Sequence, residues 1–255
     1  MNESRRENWD TFWRAKEKVE EVYSNAGRLP DHLSAVLDVR GKRILEIGAG
    51  TGRDSFPLVG RGAHVFQLDY SEPSLQILKK LSQEQRLSVR ILGGDTFALP
   101  FKDESFDVVF HQGLLEHFRV PKAEALLKEN LRILKKGGLL LVDVPQRFHL
   151  YTVAKHILMF FGKWFAGWER SFTVGELRLV LVRLGIKPIY SYGEWMYPSF
   201  IYRASREVLK KFGLILPLYP KVPGLSRLRS SARSALLKTS LPLFTGISIG
   251  VIARK

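Results

Sequence analysis

The fold is decided by the stretch ILEIGAGTG at residues 44–52. An apolar run ends there in three glycines, Gly48, Gly50 and Gly52, which let the backbone turn sharply and approach a ligand without a Cβ in the way. The spacing is not the G-x-G-x-x-G of a dinucleotide site, because the third glycine comes one position early. Glu46 puts a negative charge where a ligand with a cationic centre would bind. The stretch therefore predicts a strand that ends in a ligand-binding turn.

Short apolar runs recur on both sides of this turn and alternate with helix-like segments, such as 53–60 and 72–82. The runs predict seven strands, at 43–48, 64–69, 88–94, 107–112, 139–144, 187–192 and 247–254. This alternation is typical of repeated βα units. Because the runs are apolar on both faces, we predict a doubly wound α/β fold in which helices cover both faces of the sheet.

Two further helices carry clear end signals. The first opens at Pro121 and closes at Gly137, which follows the usual placement of proline and glycine at helix ends. The second begins with a capping-box pattern at Thr173 and Glu176, and Gly185 supplies its stop signal. Both helices fit between predicted strands.

The composition excludes several classes of site. The chain has 255 residues, 45% of them hydrophobic, and no cysteine, so disulfides, cysteine-bound zinc and thiolate nucleophiles are excluded. Its first thirty residues are polar and predict no signal peptide. The longest apolar run, 157–168, is too short for a membrane span. These features favour a cytoplasmic enzyme.

The positive charge is concentrated in the second part of the chain. The net charge is +15, and residues 151–255 hold 17 Lys and Arg against 4 Asp and Glu. This asymmetry predicts an anionic partner, such as phospholipid head groups, a phosphorylated substrate or nucleic acid. A solvated basic surface that keeps the protein soluble is the alternative.

We predict a single domain over 1–255, with an N-terminal helical cover (1–40), a ligand-binding half (41–145) and two additions. The additions, 146–172 and 193–245, are rich in aromatic and basic residues and interrupt the alternation of strands and helices. We expect them at the carboxyl ends of the strands, where such folds build their sites. Trp9, Phe12 and Trp13 of the N-terminal segment either pack over the same opening or belong to an ordinary flanking helix.

The chain resembles the class I S-adenosylmethionine-dependent methyltransferases, particularly the group that includes quinone and other small-molecule enzymes. The residues that carry the resemblance are ILEIGAGTG (44–52), which resembles motif I, then Asp69, GGDTFALPF (93–101), FDVVFHQGLLEHF (106–118) and LRILKKGGLLLVDVP (131–145). The resemblance covers about residues 40–192 and the last strand. It implies a seven-stranded Rossmann-like sheet with an antiparallel last strand, and S-adenosylmethionine as the cofactor. By this resemblance, residues 41–145 are the donor-binding half of a methyltransferase.

The resemblance also implies roles for single residues. Asp69, at the end of the second strand, would accept hydrogen bonds from both ribose hydroxyls. Asp95 would meet the adenine amine, and Thr96 or Phe97 would line the ring pocket. The residues expected to contact the donor lie at strand ends and are Glu46, Gly48, Ala49, Gly50, Gly52, Asp69, Tyr70, Asp95, Thr96, Phe97, His111 and Gln112.

The acceptor side is expected at the end of the fourth strand. If the acceptor is a hydroxyl, His117 is the first candidate for a general base and His111 the second, because imidazole titrates near neutral pH. Either histidine could instead serve packing or capping. Glu169 and Arg170 either line the substrate or form a surface ion pair with each other.

Some methyltransferases of this fold bind a divalent metal through a Glu-x-x-Glu-His pattern at the same loop. Here the pattern begins with Gly113 and retains only Glu116 and His117. Since the first glutamate is missing, we expect no metal site.

The acceptor class remains open at this point. The aromatic additions and the Leu-rich, basic segment 224–238 favour a small-molecule or lipid-linked acceptor and peripheral contact with an anionic membrane. The alternative is RNA methylated at a ribose hydroxyl or a ring nitrogen, with phosphate contacts from the basic part. Against it, the chain lacks an Asn-Pro-Pro-Tyr-like motif and the cysteine of cytosine C5 chemistry. A non-catalytic binding protein is the third alternative. The oligomeric state is not predicted.

Overall fold

The computed structural model describes residues 4–15, 28–195, 197–219, 225–237 and 239–255, with the backbone alone for 225–230. The strands are β1 (Arg43–Ile47), β2 (His64–Asp69), β3 (Val89–Gly93), β4 (Phe106–Gln112), β5 (Leu134–Pro145), β6 (Lys187–Glu194) and β7 (Ser248–Arg254). The helices are α1 (Arg6–Arg14), α2 (Arg28–Ser34), α3 (Phe56–Gly60), α4 (Glu72–Glu84), α5 (Val120–Ile133), α6 (Leu150–Phe160), α7 (Val174–Arg183), α8 (Phe200–Lys211), α9 (Leu225–Leu237) and α10 (Pro242–Thr245).

All seven predicted strands join one sheet in the order β3-β2-β1-β4-β5-β7-β6. Neighbours among β1 to β5 pair in parallel, whereas β7 lies antiparallel between β5 and β6. The predicted Rossmann-like sheet with an antiparallel last strand is confirmed. The strand order reverses between β1 and β4, and in such sheets the crevice at this point, beyond the carboxyl ends of the strands, is where ligands bind.

Two apolar cores cover the two faces of the sheet. Leu45 and Val109 face one side, where α5 and α7 pack, whereas Ile44 and Val108 face the other, where α2 and α3 pack. Successive side chains of a strand point to opposite faces, so the central strands can be apolar throughout only because both faces are covered.

The end signals of the predicted helices have mixed outcomes. The capping box of α7 is confirmed, since Glu176 N donates to Thr173 Oγ1 (3.2 Å) and Thr173 N donates to the Glu176 carboxylate (2.9 Å). The predicted end of α5 at Gly137 is wrong, because the helix ends at Ile133. Leu134 already pairs with Phe106, and the positive φ of Gly137 (73°) belongs to an irregular start of β5.

The helix α1 lies across the carboxyl end of the sheet. Its Trp13 ring packs against Gly50, while Asn8 donates to the Phe165 carbonyl (2.7 Å) and the Phe12 ring stacks on the Phe165 ring (4.7 Å between centroids). The helix therefore bridges the glycine turn and the segment after α6. Of the predicted 1–40 cover, residues 1–3 and 16–27 lie outside the described residues.

Within the described part of the chain, the structure contains no helix of the length and apolar character needed to cross a bilayer. The segment 224–238 forms α9, but the side chains of its first half lie outside the described residues, as do residues 224 and 238. Its predicted membrane-facing character therefore stays a prediction.

Candidate active site

A cavity of about 1000 Å³ opens at the carboxyl ends of β1, β2 and β4. Because parallel strands end at the same edge of the sheet, their last residues and the turns after them share this space. Of the residues expected to contact the donor, those that line the cavity are Glu46, Gly48, Ala49, Gly50, Asp69, Tyr70, Asp95, Thr96, Phe97 and Gln112. Two of the expected residues, Gly52 and His111, are not part of its lining.

The glycine turn and the end of β2 are joined directly. Gly50 N donates to Asp69 Oδ2 (2.9 Å), and Gly48 N donates to the Leu68 carbonyl (2.8 Å). Ser71 N donates to the other carboxylate oxygen of Asp69 (2.9 Å). These bonds hold the turn and the carboxylate as one unit at the cavity wall.

Gly52 supports the turn from behind. Its φ is +67°, a conformation that side chains disfavour, and a Cβ there would lie 2.4 Å from Gln67 Nε2 and 2.7 Å from the Phe56 ring. The Gln67 amide donates to Ser55 Oγ (2.7 Å), and Ser55 Oγ donates to Glu46. Glycine is therefore required at this position for packing rather than for ligand contact.

The floor of the cavity is acidic. Burial raises the pKa of Glu46 well above its usual range, and the nearby Asp54 carboxylate raises it further. Burial likewise raises the pKa of Asp54 and of Asp69. A cationic ligand would relieve this cost of burying several carboxylates together, because an opposite charge favours their ionised form.

Arg28 is a cavity residue that the sequence analysis missed. Its guanidinium is nearly buried, lies 3.7 Å from Asp143 Oδ2 and donates to Ser248 Oγ (3.2 Å). With its amide oriented to satisfy both neighbours, Gln112 accepts from Arg28 and donates to Asp54. Burial raises the pKa of Asp143 to about 6, although the charge of Arg28 acts in the opposite direction. Arg28 and Arg53 thus bring positive charge to a floor that also holds Glu46, Asp54 and Asp143.

A second part of the cavity lies at the end of β3. Asp95 Oδ1 accepts a hydrogen bond from Phe97 N (2.9 Å), and the Phe97 ring meets the Phe118 ring edge to face (5.0 Å). The buried hydroxyl of Thr96 has no hydrogen-bond partner among the described residues. An apolar slot with an unsatisfied hydroxyl and a carboxylate at its rim suits a flat, polar-edged ring.

His111 is not part of the cavity lining, and its expected roles as a base and as a donor contact stay predictions that this position disfavours. Its side chain is fully buried within β4, and neither ring nitrogen has a partner among the described residues. Burial lowers its pKa to about 3. The alternation of side chains along β4 explains this position, because Gln112 and His111 point to opposite faces.

His117 lies in the cavity wall, but its ring nitrogens are not directed into the open space. Nε2 lies 3.1 Å from the Gly113 carbonyl, Nδ1 is buried, and the ring packs edge to face on Trp9. Burial lowers the pKa of His117. Its role as general base stays a prediction, which this geometry disfavours.

Glu116 and a buried ion pair stand beside His117. Lys155 of α6 is fully buried and donates to Glu169 Oε2 (2.7 Å), while the Trp164 indole donates to Glu169 Oε1 (2.6 Å). Glu116 lines the cavity, and its Oε2 is buried without a partner among the described residues. Burial, and then the charge of Glu169, raise the pKa of Glu116 well above its usual range.

The predicted alternative of a surface pair between Glu169 and Arg170 is wrong. Glu169 is buried against Lys155, and the Arg170 guanidinium lies 3.6 Å from Glu176 instead. From the two additions, Tyr151 of α6 and Arg203 of α8 line the cavity. Among the described residues, no cluster of three or more histidines and carboxylates has the arrangement of a metal site.

Comparisons with known proteins agree with this geometry. Residues 45–142 match the model of the methyltransferase domain family. The chain is 33% identical to the demethylmenaquinone methyltransferase of Lactococcus lactis over 182 residues, which are 59% of this chain and 70% of that protein. It is 29% identical to a ubiquinone biosynthesis O-methyltransferase of Cereibacter sphaeroides over 162 residues, 62% of this chain and 65% of the relative.

The whole chain also resembles solved structures. A crystal structure of a SAM-dependent methyltransferase from Thermotoga maritima matches with a TM-score of 0.64 and 22% identity, and the match covers 98% of this chain and 99% of that one. At this identity the likeness concerns the fold, and it extends over the additions as well as the sheet.

Proposed function

Because the chain belongs to the class I S-adenosylmethionine-dependent methyltransferases, in their quinone-type group, we propose that it methylates a quinone-type aromatic ring carried on a lipid tail. The observation that supports methyl transfer most is the hydrogen bond from Gly50 N to Asp69 at the wall of an open cavity of about 1000 Å³. A cavity of this size has room for an adenosyl group and for a ring beside it.

The cavity lining fits S-adenosylmethionine, which supplies an activated methyl group on a positively charged sulfur. The Asp69 carboxylate, which lines the cavity, would accept from the two ribose hydroxyls, and the Thr96 hydroxyl and the Phe97 ring suit the adenine. Arg28 offers a guanidinium to the amino-acid carboxylate, and the buried Glu46 favours the cationic end. Charges of both signs are thus present for a ligand that carries both.

Methylation of a hydroxyl or a ring carbon of a quinol replaces a hydrogen, so one proton must leave the acceptor. We assign Glu116 as the group that accepts it. Both Glu116 and His117 line the cavity, but His117 Nε2 lies against the Gly113 carbonyl and its Nδ1 lies 3.8 Å from Glu169 Oε1, whereas Glu116 Oε2 has no partner among the described residues. Its raised pKa matches it better to a phenolic proton than an ordinary carboxylate would be.

His117, Lys155 and Glu169 would position and tune this group. The Glu169 carboxylate raises the pKa of Glu116, and the Lys155 ammonium opposes that effect. Because the pair is buried, both charges act on Glu116 with little screening by solvent. The protein otherwise contributes by aligning the acceptor and keeping water out of the cavity.

The substrate class is tested by incubating the protein with methyl-labelled donor and with separate lipid, small-metabolite and RNA fractions. We expect label in a chemically reduced lipid extract that contains demethylated quinols. Label confined to RNA, and lost steeply as salt is raised, would refute the proposal.

The role of Glu116 is tested by Glu116→Gln, with Glu124→Gln on the exposed side of α5 as the matched control. Glu116→Gln should lower kcat at neutral pH by about 10²-fold or more with unchanged donor affinity. The kcat of the unmodified protein should rise with pH as Glu116 loses its proton, and this rise should be absent from the variant. A Glu116→Gln enzyme with unchanged kcat would return the role to His117.

RNA methylation is the less favoured alternative, because the relatives that match are named for quinones. A non-catalytic role is disfavoured by the intact donor side of the cavity. We also propose a cytoplasmic protein that associates with an anionic membrane from one side, as a lipid-linked acceptor requires.

A further inference from the structure

The helix α6 is turned with its polar side inward. Lys155 and Thr152 are buried, with 1% of each side chain exposed, whereas Ile157 and Phe160 are 54% and 80% exposed. Leu150, Val153, Ile157 and Phe160 recur at helical spacing, so they form one apolar stripe that faces solvent. An ordinary surface helix has the opposite arrangement, because its apolar side normally covers the core.

The apolar stripe continues beyond the end of α6. Phe161 is 65% exposed next to Phe160, and a shallow apolar groove runs between these rings and Val153. The exposed Lys163 follows at once. We call this surface, formed by Leu150, Val153, Ile157, Phe160 and Phe161, the α6 stripe.

The neighbouring helix α8 presents a similar surface. Its Phe200 ring meets the Tyr151 ring of α6 edge to face (6.1 Å between centroids), so the two helices begin side by side. Ile201, Val208 and Phe212 are exposed on α8 and after it. The exposed Lys210 and Lys211 stand beside these apolar side chains.

Both helices also contribute to the wall of the cavity, because Tyr151 of α6 and Arg203 of α8 belong to its lining. A surface that rests on these helices therefore covers the outside of this part of the cavity wall. An acceptor with a long apolar tail could keep that tail outside while its ring enters the cavity.

The charge indicates what covers the surface. Residues 151–255, which include α8 and all of α6 except Leu150, carry a net charge of +13. Exposed aromatic and aliphatic side chains with lysines beside them are typical of segments that lie in the interface of an anionic bilayer. A second copy of this chain would bring the same positive charge to the same face, which opposes self-association through it.

We infer that the α6 stripe, together with the exposed apolar side chains of α8, inserts into the interface of an anionic phospholipid bilayer and holds the cavity mouth against it. The inference rests on the proposed function in one respect: membrane contact is useful to the enzyme because a lipid-linked acceptor can then pass from the bilayer into the cavity. Its test does not depend on turnover.

The test is co-sedimentation of the full chain with vesicles of phosphatidylcholine alone and of equal parts phosphatidylcholine and phosphatidylglycerol. The variant Ile157→Ser/Phe160→Ser/Phe161→Ser removes the α6 stripe. The matched control, Leu179→Ser/Val182→Ser, removes two exposed apolar residues of α7, a helix outside the cavity lining. Circular dichroism and the melting temperature check that all three proteins are folded.

We expect binding to the mixed vesicles that is weaker with phosphatidylcholine alone and falls with salt. The stripe variant should bind at least about tenfold more weakly, and the α7 control should bind like the unmodified chain. Equal binding by the stripe variant would overturn the inference. So would a dimer of the unmodified chain that the stripe variant loses, in the absence of vesicle binding, since a second copy would then cover the face.

A separate assay distinguishes this inference from the proposed function. With a short-chain, water-soluble quinol, the stripe variant should turn over like the unmodified enzyme. Vesicle binding without methylation of any quinol would refute the proposed function and leave the membrane surface standing. Methylation of lipid-linked quinols without vesicle binding would refute the membrane surface and leave the proposed function standing.

Discussion

The glycine turn after β1 and the helix α6 border the same cavity, but they are built on opposite rules. At the turn, glycines adopt positive φ, a carboxylate accepts backbone N–H groups, and the apolar strand before it is buried. In α6, a lysine is buried and isoleucine and phenylalanine side chains are exposed. The comparison teaches that the glycine turn is fixed by local chain geometry, whereas the buried side of α6 depends on partners distant in sequence. In our inference, the exposed side of α6 depends on a membrane surface as well.

Of the substitutions in the two regions, Lys155→Met should lower the free energy of unfolding most, because it leaves Glu169 buried without its cation. Breaking a buried ion pair from one side costs about 3–5 kcal/mol of unfolding free energy. Urea denaturation of the variant and the unmodified protein measures it.

The double variant Lys155→Met/Glu169→Leu supplies the control. Since apolar residues can replace a buried pair at little cost, it should recover most of the lost stability. If Lys155→Met alone costs less than about 1 kcal/mol, the buried face of α6 is not held as described.

On the donor side, Gly52→Ala should cost about 3 kcal/mol. The added Cβ meets Gln67 and Phe56 at 2.4 and 2.7 Å, and its φ of +67° adds a conformational cost. Gly41→Ala shares the conformation, with φ +69°, but meets no atom within 4 Å. Denaturation of the two variants separates packing from conformation, and equal losses would show that no tight contact exists at Gly52.

A smaller effect concerns His111 on β4, which runs between the two regions. Burial lowers the pKa of His111 to about 3. When the pH falls below the ordinary pKa of histidine, His111 is therefore protonated in the unfolded chain but stays neutral in the folded one. Stability is therefore lost as the pH falls from about 6.5, by about 2 kcal/mol at pH 5.

The variant His111→Leu should lack this loss between pH 7 and pH 5, measured by urea unfolding at both values. His64→Asn, at an exposed position, should keep the pH dependence of the unmodified protein. An identical loss in His111→Leu would show that His111 is not held neutral in the fold.

The smallest effect is expected from Thr173→Ala at the start of α7, outside both regions. It removes the oxygen that accepts from Glu176 N and should cost about 1 kcal/mol. Donor affinity and vesicle binding should both stay unchanged. A change in either would mean that the two regions are coupled through the sheet.

Much of the fold could be predicted from the sequence, because the relevant rules are local. The strand periodicity of 43–48 and 64–69, the glycines after β1 and the capping box at Thr173 each depend on neighbouring residues alone. The predicted end of α5 at Gly137 was wrong because a contact distant in sequence ends the helix earlier: Leu134 already pairs with Phe106 of β4.

The missed site residues depend on contacts that no local pattern encodes. Arg28 reaches Asp143 only because α2 packs on the sheet, and Lys155 meets Glu169 only because the chain returns after α6. A signal for the latter was present: Lys155 interrupts an apolar helix, and such a charge is often paired. The side of β4 on which His111 lies could not be fixed without the sheet, so the sequence could not show that its ring is buried and absent from the cavity lining.

The central claim is that the glycine turn and Asp69 together hold the adenosyl group of the donor. Titration calorimetry of S-adenosylmethionine into the unmodified protein, Asp69→Ala and the exposed control Asp38→Ala tests it most directly. We expect the unmodified protein and the control to bind alike. Asp69→Ala should bind about 100-fold more weakly, because it loses two charge-assisted hydrogen bonds to the ligand. Equal affinity in Asp69→Ala, or no binding by the unmodified protein, would contradict the account.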